Sequence, residues 1–75
     1  MQGKSKIQLA EWAVHIAEIH VLRQMEIIEE LRADGHATAE PERLLALFEQ
    51  TLKSHEWSLE QLRGEHAPPA VHRVS

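Results

Sequence analysis

From Lys6 to Ala33 no glycine or proline interrupts a chain built mostly of good helix formers. At about 1.5 Å per residue such a run is a helix on the order of 40 Å long. Gly35, following "LRAD", is placed to take the left-handed conformation that closes a helix. Thr38 is placed to cap the next one, with Glu40 and Pro41 tolerated in its first turn. A second helical run then extends from about Ala39 to Arg63 and is expected to stop at Gly64, with Pro68 and Pro69 beyond it. A link as short as 34–38 forces the two helices antiparallel. No β pattern competes. The expected fold is therefore all-α: a polar start at 1–5, an antiparallel two-helix hairpin over 6–63, and a disordered tail over 64–75 ("GEHAPPAVHRVS").

Seventy-five residues make one small domain, and two helices alone leave exposed much of the surface that a larger fold buries. The absence of cysteine excludes disulfides and thiolate metal sites. A net charge of -4, with only Lys4 and Lys6 close together, argues against a nucleic-acid partner, which requires clustered cations. Helix one instead carries Glu11, Glu18, Glu26, Glu29 and Glu30. The apolar run from Ile7 to Leu22 is broken by Glu11, His15, Glu18 and His20 and is shorter than the roughly 20 residues that span a bilayer. No small-residue cleavage site follows it, so no membrane segment or signal peptide is expected, and the expected location is cytoplasmic.

Helical spacing puts Leu9, Ala10, Ala13, Val14, Ile16, Ala17, Val21, Met25, Ile27, Ile28 and Leu31 on one broad side of helix one. That side is wider than one partner helix covers, which predicts a homo-oligomer: a dimer in which two hairpins form a four-helix bundle. Ala10, Ala13, Ile16, Ala17 and Val21 are the expected contact between chains, because small side chains let helices approach closely. Helix two carries a narrower stripe of Leu44, Leu45, Leu47, Phe48, Leu52, Leu59 and Leu62. Trp12, Ile19, Leu22 and Trp57 lie off these stripes and form a candidate surface for a protein partner.

Placing Leu31 opposite Leu44 sets Gln24 against Thr51, His20 against His55 and Ala17 against Ser58. Gln24, Thr51, His20, His55 and Ser58 then make polar core layers, as polar residues that fix register do in coiled coils. The alternative use is chemical. Doubled by a two-fold axis, His20 and His55 present up to four imidazoles to zinc or another metal or cofactor. The Glu-x-x-His pairs of di-iron bundles are absent, and no His-x-x-x-His pair lies on one helix. Glu11, His15 and Glu18 share a helix surface, read as a solvated face. His36 belongs to the turn and His66 and His72 to the tail, with no positioned partner that makes a catalyst, so no cofactor is required and no enzyme is expected.

The stretch from Arg23 to Glu56, "RQMEIIEELRADGHATAEPERLLALFEQTLKSHE", resembles a group of small uncharacterised helical-hairpin proteins from alphaproteobacteria. In that group an "L-x-A-D-G-H-x-T" turn is followed by "LL-x-x-F-E-x-T-L-x-x-H". The turn motif stands here as Leu31, Ala33, Asp34, Gly35, His36 and Thr38, and the helix motif as Leu44, Leu45, Phe48, Glu49, Thr51, Leu52 and His55. The resemblance implies a bacterial hairpin and no particular activity. With the broad apolar side, it points to a small interaction or regulatory protein working through an oligomeric bundle; the alternative is metal or cofactor binding at His20 and His55.

Overall fold

The computed structural model describes residues 5–66, with side chains described over 5–64. Two α-helices, α1 (Lys6–Ala33) and α2 (Ala39–His66), pack against each other as a hairpin, and the described residues contain no strand. α2 passes through Gly64, where a stop was expected, because one glycine in a helix costs only about 1 kcal/mol relative to alanine. Residues 1–4 of the polar start and 67–75 of the tail lie outside the described residues.

Local chemistry sets the helix ends. The Ser5 hydroxyl accepts a hydrogen bond from the Gln8 amide at 3.1 Å, and the Gln8 side-chain oxygen accepts from the Ser5 amide at 3.0 Å. This is a capping box that satisfies two backbone donors at the start of α1. Its Ser-x-x-Gln spacing was present in a stretch expected to be no more than a polar start.

α1 closes on Gly35 at φ 77°, where the Gly35 amide donates to the Arg32 carbonyl and the His36 amide to the Leu31 carbonyl. That pair of bonds is a Schellman closure. A Cβ built on Gly35 meets nothing within 4 Å, so a substitution there is opposed by backbone strain alone. We expect Gly35→Val to destabilise by about 1–2 kcal/mol, read as a lowered midpoint in thermal unfolding. An unchanged midpoint would mean that the turn is not held at this residue.

Thr38 holds the expected position just before α2, its carbonyl accepting from the Glu42 amide at 2.9 Å, but its hydroxyl is turned away from the backbone it was expected to cap. Its hydroxyl donates to the Glu42 carboxylate at 2.8 Å, and that same carboxylate takes the Arg32 guanidinium at 2.8 Å. Pro41, three residues on, has no N–H to offer a capping hydroxyl.

The helices meet along residues that advance by alternate steps of three and four. In α1 these are Ile7, Ala10, Val14, Ala17, Val21, Gln24, Ile28 and Leu31; in α2 they are Pro41, Leu45, Phe48, Leu52, His55, Leu59 and Leu62. All are buried or half-buried, and the seven-residue repeat is the one that keeps a seam facing a partner helix. Val14 with Leu59, Val21 with Leu52 and Ile28 with Leu45 line successive grooves along the hairpin. The core itself is thin: Ala17 (5%), Ile28 (5%) and Leu59 (8%) are its buried apolar residues among those described, joined by Gln24 (6%).

This packing corrects the expected layers. Leu44, Thr51 and Ser58 are seven apart and share one row of α2, so taking Leu44 as a seam residue carried the other two inward with it. In the structure that row is exposed, and the adjacent row of Leu45, Leu52 and Leu59 faces α1 instead. One residue of difference rotates a helix by about 100°, enough to exchange a polar row for an apolar one.

Candidate functional site

The polar residues expected in the core separate into different environments. Gln24 is buried, and its side-chain amide donates to the Pro41 carbonyl at 2.9 Å. A carbonyl oxygen has two lone pairs, so this bond leaves room for the one that the carbonyl makes within its own helix. The bond ties the middle of α1 to the first turn of α2, and a buried amide without such a partner would cost about 1–3 kcal/mol. His20 does not meet His55. It is exposed, with its ring 5.5 Å from that of Phe48 at an interplanar angle of 40°. His55 is half-buried in the seam, and Thr51 and Ser58 are exposed. Among the described residues no group of three or more metal-ligating side chains is placed to hold an ion.

The residues expected between chains are largely occupied within the chain. Ala17 is buried in the hairpin, Val21 lines a groove with Leu52, and Ala10 and Ala13 are half-buried beside α2. Small residues do allow close approach here, but the helix they admit is the chain's own. Of the expected set, Ala13 and Ile16 are not seam residues, though both are half-buried.

The hairpin has two broad faces, and they differ in chemistry. One is crossed by ion pairs at both ends: Arg32 to Glu42 at 2.8 Å near the turn and Arg63 to Glu11 at 3.1 Å at the open end. Between them Glu11, His15, Glu18, Lys53, Glu56, Glu60 and Arg63 line an open groove, with Trp57 at its edge. These pairs are exposed and each contributes no more than about 1 kcal/mol. Their effect is on register, since they tie the two helices together at opposite ends.

The other face is apolar. Leu9, Trp12, Ile16 and Ile19 follow one another at steps of three and four, and Ile27 continues the same side of α1. Ile27 opens onto a shallow groove shared with Leu44 and Leu47 of α2. Trp12 is 58% exposed and Leu47 55%, large apolar side chains left in water. The four residues proposed from sequence as a partner surface therefore do not form one patch. Trp12 and Ile19 belong to the apolar face, whereas Leu22 and Trp57 belong to the charged one. Sequence spacing had assigned Leu9 and Ile16 to the same stripe as Ala17. The seam takes Ala17 and leaves the other two out.

No family model, curated protein or solved structure matches this chain. No helix among the described residues is long and apolar enough to cross a membrane.

Proposed function

We propose that the chain is a small bacterial interaction or regulatory protein that acts through self-association of its hairpin into a four-helix bundle. The observation that carries this is the exposed apolar surface of α1. Leu9, Trp12 and Ile19 are each at least 45% exposed on one side of α1, while the described apolar core contains only Ala17, Ile28 and Leu59 as buried residues. Contiguous apolar surface on a small protein marks a contact site, and burying it contributes about 25 cal/mol per Å². A two-helix unit with so thin a core gains further stability when a partner covers its exposed apolar side. The turn and helix-two motifs between Arg23 and Glu56 support the bacterial assignment by resemblance.

Sedimentation at micromolar concentration tests the assembly. A dimer or larger species is the expected result, with a thermal midpoint that rises with protein concentration. A monomer that is fully helical and melts cooperatively at a midpoint independent of concentration would refute it.

A further inference from the structure

The two faces of the hairpin are unequal candidates for an isologous contact, in which the same patch meets itself. We propose that the face carrying Leu9, Trp12, Ile16, Ile19, Leu44 and Leu47 is covered by a second copy of this chain, and that the ion-paired face remains in water. The proposal rests on the self-associating function above and assigns it to one surface.

Three observations favour a second copy here. The first is charge. The opposite face carries Glu11, Glu18, Glu56 and Glu60 around its groove against Lys53 and Arg63, so two copies meeting there would bring carboxylates onto carboxylates. The apolar face is edged instead by pairs of opposite sign, Arg23 with Glu26 and Arg43 with Glu40, which leave it close to neutral against its own copy.

The second is size. Helices of 28 residues are about 42 Å long, and two of them packed 8–10 Å apart present a face of roughly 800 Å². That is about what each partner contributes to a stable dimer of standard size. The third is distribution. Apolar residues run along this side of α1 from Leu9 to Ile19, and past the Arg23–Glu26 pair Ile27 joins Leu44 and Leu47 of α2 near the turn. The apolar surface therefore touches both helices, with the hydroxyls of Thr51 and Ser58 continuing the Leu44 row. On the opposite face Leu22, Val21 and Leu52 share their groove with Glu18.

The test compares single charges placed on the two faces of the full chain, each variant checked for helix content by circular dichroism and for mass by sedimentation. Ile19→Glu and Leu47→Glu, one on each helix, are expected to keep the helical signal and weaken self-association by about 100-fold or more, because each buries a charge without a partner. Leu22→Glu is expected to leave the dimer intact. Dissociation by Leu22→Glu with Ile19→Glu and Leu47→Glu still dimeric would overturn the choice of face while leaving self-association standing. A monomeric wild type would overturn both the proposal and the function it rests on, and would leave the face to a foreign apolar helix. Using one variant on each helix guards against a local folding defect: if only one loses helicity, the other still decides the outcome.

Discussion

Ile28→Ala is expected to remove roughly half of the stability of the hairpin. Ile28 is 5% exposed and lines a groove with Met25 and Leu45, where the seam residues of the two helices lie side by side. Truncating a buried isoleucine to alanine typically costs about 2–5 kcal/mol, through lost transfer energy and the cavity left behind. A domain of this length has a total stability on the order of 4–11 kcal/mol at about 0.05–0.15 kcal/mol per residue. In a larger protein the same truncation would be one loss among many. Here it removes one of the few buried apolar side chains described. Thermal and denaturant unfolding at fixed protein concentration should show a midpoint far below that of the wild type, and Ile28→Val should fall by only about 0.5–1.5 kcal/mol. An Ile28→Ala midpoint within a degree or two of the wild type would place the stabilising contacts elsewhere.

Much of the hairpin was legible because it depends on local rules. An uninterrupted helical run, a glycine at the position that requires positive φ and a short link settle the two helices and their antiparallel direction whatever packs around them. The end of α2 was less legible, because a single glycine is a weak stop. Register was the hardest part. In a helix as apolar as α1, several rows of side chains satisfy an amphipathic pattern equally well, and Leu44 and Leu45 are chemically identical choices for the facing helix. Choosing Leu44 put Thr51 and Ser58 inside and set His20 against His55. Choosing Leu45 gives an apolar row with Leu52 and Leu59, which buries more apolar surface and leaves two hydroxyls in water. The alternation of three and four from Ile7 to Leu31, and from Pro41 to Leu62, was the signal that decides between them. It was obscured because Gln24, His55 and Pro41 occupy places in the repeat that are usually apolar. Gln24 holds its place by bonding to the Pro41 carbonyl, a contact between a side chain and a backbone that no hydrophobic pattern records.

The same ambiguity of rows separates the hairpin's own seam from its contact with a second chain, and Ala17→Glu shows how. Alanines at 10, 13 and 17 suggested a close contact between chains, in which a glutamate at 17 would split the dimer and leave each hairpin folded. Ala17 is instead buried within the hairpin, in the same row as Ala10, Gln24 and Leu31. A glutamate there must either bury an unpaired carboxylate or push the helices apart. An uncompensated buried charge typically costs about 3–5 kcal/mol, comparable with the whole stability of a domain this small. The expected result is therefore loss of helical signal together with loss of self-association at neutral pH, in contrast to Ile19→Glu, which changes mass and keeps helix. Partial recovery of helicity on acidification, as the introduced carboxyl takes a proton, would identify the buried charge as the cause. A fully helical Ala17→Glu monomer would place Ala17 between chains and return the contact to the face first expected from the sequence.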